Sequence, residues 1–408
     1  MLFRSSFVGQ SIRDTGPKPS SVLVSELMDY IEQGYILAGR AKGSHSIVEH
    51  LTTRHRLQPF HPHYFRPHEG NRPNDLFSYS MENCEAAAAL NSEPKKLAPA
   101  IQSPLPTIQN SHNELELHEL ISFFTQPVRY FLLKRIGIAP IEEVREHNTV
   151  EPFIIKGLAR YTLENDILAQ LVSGNDCRDL YLTKKAAGVL PHGETGEIFF
   201  ARTLAAVQSF KNKFDRQFFP DGRQHREFTL LLRDHTISGR LENLTGTGMA
   251  LYRYTKIKPK DIIRGWIYHL VFNSETLDPE TASEKNTYLA GTDKIYWFKP
   301  VSDSRENLEQ LLNLFQRGLT EPLHFFPETS FAYAQGVFQG KDRQENITRA
   351  KNKWEGNAFA GRAEKNDPYN MLCLKDMNLA ETDFADLAED FFLPIFKYMA
   401  PYSESSGT

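Results

Sequence analysis

Apolar residues recur along this chain with two different periods. In SVLVSELMDYIEQG, Leu23, Leu27, Tyr30 and Ile31 fall on one helical face, with Ser21 placed to cap the helix and Gly34 to end it. Over residues 197–214, Phe200, Leu204, Val207, Phe210 and Phe214 form a single stripe, the mark of a strongly amphipathic helix. LELHELISFFTQPVRYFLLKRIGI predicts a helix, a break at Pro127, and a second helix with Phe131 and Leu132 inward. The period then shortens. FTLLLR, HTISGRL and MALYRYT predict strands near 228–233, 236–241 and 250–255. Pro259 sits where a helix over 259–272 begins, a position that tolerates proline. TYLAG and KIYWFKP predict two more strands, and Leu308, Leu311, Leu312 and Phe315 mark a helix after them. Strands, a helix and further strands predict an α/β core, in one domain over 114–408, with the first three strands in one sheet and helix 259–272 packed on it.

The first 113 residues read differently. One helix with short flanks cannot bury its own apolar face, so residues 1–55 are expected to be the end of a larger domain. Residues 56–113 are rich in Pro, His, Asn and Ser and predict an extended connector. His55, His61, His63 and His68 cluster there. No thiolate or carboxylate accompanies them at ligand spacing, and prolines break helical i, i+4 geometry. The pattern favours a polar loop packing Phe60, Tyr64 and Phe65 over a zinc site, and no metal ligand is assigned.

Composition narrows the class. The 408 residues are 40% hydrophobic and 24% charged, with a net charge of -4, so nucleic-acid binding would need local patches. Cys84, Cys177 and Cys373 form no CxxC pair, which fits a reducing cytoplasm. MLFRSSFVGQSIRD lacks the apolar stretch a signal peptide uses. The most apolar helical run, IIRGWIYHLVF, is short and contains Arg264, so no membrane partner is expected. No GxxxxGK[ST] phosphate loop occurs, and no cofactor is implied.

Five stretches carry a resemblance: SVLVSELMDYI, LISFFTQPVRYFLLKRIGI, EPFIIKGLARYTLENDILAQLV, LPHGETGEIFF and RAKNKWEGN. In their order and spacing the chain resembles the C-terminal part of RecC, the gamma subunit of exodeoxyribonuclease V (RecBCD). The resemblance implies a restriction-endonuclease-like (PD-(D/E)XK) core that has lost catalysis, with helical additions. It also implies a preceding fragment of a helicase-like domain. RecB-like and RecD-like chains and forked or single-stranded DNA are the implied partners, within an ATP-dependent exodeoxyribonuclease. Recognition of the Chi hotspot is not assigned to these residues.

The resemblance also places the nuclease positions. An active relative needs carboxylates to hold Mg²⁺ and a lysine beside the attacking water. Here Phe200 falls on a helix position that holds histidine in RecB-like nucleases. Glu242 falls on the first strand acid, Arg253 on the second, and Thr255 on the lysine. Residues 248–260 contain no Asp or Glu, so no shift of register restores the site. Asp261, at the start of the next helix, reads as a first-turn dipole partner. Arg253, Lys256, Lys258, Lys260 and Arg264 instead bring five cations together, interleaved with Tyr252 and Tyr254. Arg253, Tyr254, Lys256, Lys258, Lys260 and Arg264 are therefore the candidate DNA-binding residues. A solvated helix start or a docking surface for the partner chains fits the same charges. A second basic set, Lys341, Arg343, Arg349, Lys351 and Lys353, includes acids and reads as a helix surface.

Overall fold

A computed structural model describes residues 21–39, 46–66, 76–92, 101, 103–107, 114–138, 154–219, 223–233, 235–245, 248–274, 285–356, 363–374 and 377–402. His68 lies outside them. The chain divides into two compact units, Met1–Leu97 and Ala98–Thr408.

Among its described residues, the first unit contains helices α1 (Val22–Gly34), α2 (Ile47–Leu51) and α3 (Met81–Asn91), with a 3-10 turn at Pro62–Tyr64. The amphipathic helix forms where the pattern places it, but its apolar face is largely open: Leu23 is 79% exposed and Leu27 56%. The Ser21 side chain does not cap it; the Ser21 carbonyl accepts from Val24 N and Ser25 N instead. Glu32 joins α1 to α2 by accepting from Ser46 Oγ at 2.9 Å and Val48 N at 3.0 Å. In the histidine-rich loop, Tyr64 is buried and its hydroxyl accepts from Arg56 N at 2.8 Å.

The second unit runs β1 (Glu114–Glu116), α4 (Leu117–Thr125), α5 (Pro127–Tyr130), a π-helical turn at Phe131–Ile136, α6 (Gly157–Val172), α7 (Arg178–Ala186) and α8 (Gly193–Phe218). There follow β2 (Gln224–Leu232), β3 (His235–Thr245), β4 (Gly248–Tyr252), α9 (Pro259–Ser274), β5 (Asn286–Ala290) and β6 (Ile295–Phe298). It continues with α10 (Ser304–Gly318), α11 (Pro327–Phe338), α12 (Arg343–Glu355), α13 (Pro368–Leu374), α14 (Phe384–Tyr398) and β7 (Met399–Pro401). The break at Pro127 is present, and Phe131 and Leu132 are buried as the pattern requires. The second helix, however, is mostly a π-turn, closed by Gly137 at φ 78°.

The strands form one mixed seven-stranded sheet in the order β1-β3-β4-β5-β6-β7, with β2 also on β3. β2 and β3 are antiparallel, with Phe228 opposite Gly239 and Leu230 opposite Ile237. β4 and β5 are parallel, joined through α9. Side chains alternate between faces, as strand geometry requires. Met249 and Leu251 join the main core with Ile263 and Ile267 of α9, while Ala250 and Tyr252 meet Phe214 and Phe218 of α8. Helices α4, α10 and α14 add Phe123, Phe315 and Phe392 to the α9 side. The central strands β4 and β5 are thus covered on both faces, while β2 turns alternate residues to solvent, with Leu231 65% exposed. Gly248 holds φ 141°, and a Cβ there would lie 2.2 Å from Asn286 O, so only glycine lets β4 start this close to β5.

The predicted strand over 250–255 ends early, at Tyr252. Arg253 N still donates to Ala290 O at 3.0 Å, but the chain then leaves the sheet to reach α9. Thr292 N donates to Thr255 O at 2.9 Å, and Ile257 N to Asp293 Oδ1 at 3.0 Å. Arg253 and Thr255 therefore stand on a loop at the strand's end, not within it.

Candidate nucleic-acid interface

That loop is held by Asp261, in the first turn of α9. Its side chain is 3% exposed. Asp261 Oδ2 accepts from Lys258 N at 3.0 Å, so the carboxylate serves the helix start as a first-turn acid should. Its other oxygen accepts from Arg253 Nη1, and Arg253 Nη2 donates to the Tyr161 hydroxyl on α6. The guanidinium also lies over the Tyr161 ring, 5.7 Å from its centre. Burial alone would lower the Arg253 pKa, but the charge and hydrogen bond of Asp261 and the bond to Tyr161 outweigh it and hold it above the usual value. Arg253 thus ties β4, α6 and α9 together.

Glu242 lies across a groove of about 570 Å³ whose walls include Tyr161, Asp166, Glu242, Arg253 and Arg264. It sits on a β-bulge. Gln224 pairs with Leu244 and Arg226 with Leu241, so Glu242 and Asn243 together oppose the single residue His225. Asn243 takes the left-handed φ of 58° that the bulge requires, a conformation asparagine tolerates. Glu242 is exposed, with Arg240 Nε 3.9 Å from its carboxylate.

Two of the four positions compared with a nuclease, Glu242 and Arg253, therefore share one groove. The other two do not line it. Phe200 is buried inside α8, its ring 5.2 Å from Tyr181. Thr255 is half-buried on the loop into α9. Among the described residues, no three His, Cys, Asp or Glu side chains are grouped to hold a metal ion.

The basic run divides between two sides. Arg264 is exposed, above the Tyr268 ring at 5.6 Å, and opens on the Glu242 groove. Lys258 and Lys260 line a second cavity of about 300 Å³, together with Arg129, Glu328, Glu364 and Asp367. Lys256 and Lys258 are exposed and Lys260 is half-buried. Tyr254 is half-buried, edge-on to Phe210 at 5.3 Å, and burial raises its phenol pKa. It packs against α8. In the second basic set, Lys341 pairs with Glu345 and Lys351 lies 3.9 Å from Glu355, while Trp354 is buried against Phe326. Lys341, Arg343 and Lys351 are exposed on the helix surface, whereas Arg349 is half-buried with its Nη1 inaccessible to solvent.

Three residues of this region escaped the sequence reading. Tyr161 is 92 residues from its partner Arg253, and ARYTLEN carries no spacing that links it to β4. Glu328 follows Pro327 in the first turn of α11, a readable first-turn acid, but nothing local points it toward Lys258 and Lys260. Glu364 caps the same helix, accepting from Thr329 N at 2.8 Å, Thr329 Oγ1 at 2.7 Å and Glu328 N at 3.2 Å.

In the histidine loop, His63 N donates to His61 Nδ1 at 3.2 Å, and Arg56 Nη2 lies 3.2 Å from His63 Nδ1. A guanidinium at that nitrogen competes with any metal. Among the described residues, no helix is long and apolar enough to cross a membrane.

Comparison with known proteins places this architecture. Residues 112–338 match the family described as RecC C-terminal domain. The RecBCD enzyme subunit RecC of Escherichia coli (strain K12) is 26% identical over 410 residues, covering 96% of this chain and 35% of that protein. The subunit of the same name from Haemophilus influenzae is 27% identical over 287 residues, covering 65% of this chain and 23% of that protein. The one from Mycobacterium tuberculosis (strain H37Rv) is 24% identical over 368 residues, covering 87% and 31%. The chain spans about a third of the length of the E. coli relative.

Proposed function

The chain belongs to the RecC C-terminal domain family, and on that basis we propose that it is a non-catalytic, DNA-guiding part of a RecBCD-type helicase–nuclease acting in recombination and repair. In this reading the sheet and its flanking helices are a restriction-endonuclease-like core without cleavage chemistry. Residues 1–55 are the end of a helicase-like domain, and 56–113 are a connector to the domain over 114–408. The partners are forked or single-stranded DNA and RecB-like and RecD-like chains, in the cytoplasm.

The observation that carries the reading is the pairing of Arg253 with Asp261 beside Glu242. A guanidinium stands where a metal-dependent relative needs an acid, and it is fixed there by two partners. Glu242 and Asp166 share the groove with this fixed cation, and Asp166 is already paired with Lys184 at 2.6 Å; that is a poor metal site, since like charges at ~4 Å cost several kcal/mol in a partly buried setting. The exposed cations around this point, Lys256, Lys258 and Arg264, with half-buried Lys260, supply phosphate contacts without cleavage. Arg253 and Tyr254 then act by shaping the surface that carries those cations.

A second reading is a docking scaffold for the partner chains. It is favoured by the internal partners that Arg253, Tyr254 and Arg264 already have. Forked-DNA binding by the purified chain, followed with fluorescence anisotropy, separates the two. The guiding role requires salt-dependent binding with equal affinity across sequences. Absence of DNA binding leaves the scaffold.

A further inference from the structure

Lys258 and Lys260 do not face open solvent alone. They line a cavity of about 300 Å³ with Glu328, the second residue of α11, which packs on α9. The Glu328 backbone N–H is occupied by Glu364, but its own carboxylate has no hydrogen-bond or ion-pair partner among the described residues. The carboxylate therefore sits near both ammonium groups without closing a salt bridge to either. Lys353 of α12 and Asp261 of α9 also act on it. Burial raises the Glu328 pKa, and Lys353, Lys258 and Lys260 oppose that rise, in keeping with acid and lysines sharing one enclosed space. Across the whole cavity, Arg129, Lys258 and Lys260 face Glu328, Glu364 and Asp367. Carboxyl groups face the cations there, which is unlike a surface built only to grip phosphate.

We infer that Glu328 is an internal counter-anion that competes with a DNA phosphate for Lys258 and Lys260 and keeps their grip on the strand weak. The inference rests on the DNA-guiding reading above and adds how that contact is tuned. A strand passing a guide must leave each phosphate site as readily as it enters. A carboxylate beside the lysines lowers the affinity of each contact and speeds its release, while the lysines still attract the strand from a distance. Glu364 differs from Glu328 in this respect. Its oxygens are spent on the start of α11, and burial raises its pKa, so its role is structural.

The test is a double-mutant cycle on the full chain, with forked DNA as the probe. Glu328→Gln keeps the side-chain shape and removes the charge. It is expected to tighten binding about threefold, as for one partly screened charge pair, and to slow dissociation. The salt dependence should steepen as the lysines are released to phosphate. In a Lys258→Ala/Lys260→Ala background the same substitution should have no effect. Unchanged or weaker binding by Glu328→Gln, with the lysine variant still impaired, would overturn the inference and leave the DNA-guiding reading intact. Equal tightening in both backgrounds would also overturn it, since that is a general charge effect. If the lysine variant binds DNA as the wild type does, the DNA-guiding reading itself fails. A merely structural role for Glu328 moves thermal stability but not the coupling to the lysines.

Discussion

The guanidinium of Arg253 is paired with the carboxylate of Asp261, which is nearly inaccessible to solvent at 3% exposure. Eight residues apart, they join the end of β4 to the first turn of α9, and Tyr161 on α6 completes the joint. Removing Arg253 leaves a buried carboxylate with only the Lys258 N–H. Arg253→Ala is expected to destabilise the fold by about 2–4 kcal/mol, read from urea unfolding. Asp261→Asn in the Arg253→Ala background should recover part of that loss, because the uncompensated charge is gone.

Replacing nuclease residues does not rebuild a nuclease. The purified chain is expected to leave single- and double-stranded DNA uncut with Mg²⁺ or Mn²⁺. The combination Phe200→His, Arg253→Asp and Thr255→Lys should also be inactive and less stable. Phe200 is buried on Tyr181 and does not line the groove, Thr255 lies beyond the strand, and an acid at 253 would face Asp261. Wild-type cleavage that co-purifies with the protein and disappears with Glu242→Ala would show a working site.

His269, fully buried in α9, gives the fold a pH dependence. Its Nδ1 meets Thr287 Oγ1 at 2.8 Å and its Nε2 meets Lys299 O at 2.9 Å, so the ring links α9 to β5 and the end of β6. Burial pushes its pKa down from 6.5 to about 3. The unfolded chain therefore takes up a proton below pH ~6.5 that the folded chain refuses. The contribution is whole above that pH and is lost as pH falls toward 3, at ~1.4 kcal/mol per pH unit. Urea titrations at pH 7.5, 5.5 and 4.5 should show this slope, and His269→Gln should flatten it.

The central strands and the helices α4, α8, α9 and α10 were legible in the sequence, but α6, α7, α11, α13, α14 and the short strands β1 and β7 were not. Period-two runs located β2, β3 and β4, and Pro259 marked the start of α9, because these signals are local. Strand ends were less legible. Tyr252 ends β4 since Arg253 turns to reach Asp261 and Tyr161, contacts set by packing across 8 and 92 residues. The bulge at Glu242 and Asn243 depends on the register of β2 against β3, which a single strand's sequence does not encode. The basic run from Arg253 to Arg264 was visible as charge, but its division between two cavities and its opposition by Glu328 arise only once α11 is laid on α9.

The most direct measurement is the salt dependence of forked-DNA affinity for the wild type and for the Lys256→Ala/Lys258→Ala/Lys260→Ala variant. Each phosphate contact contributes about one unit to the slope of log affinity against log salt. The DNA-guiding role predicts weaker binding by the folded variant, uniform across sequences, with the slope shallower by about two to three units. Unchanged affinity and slope in the folded variant would contradict it and leave the basic loop as a docking surface for a partner chain.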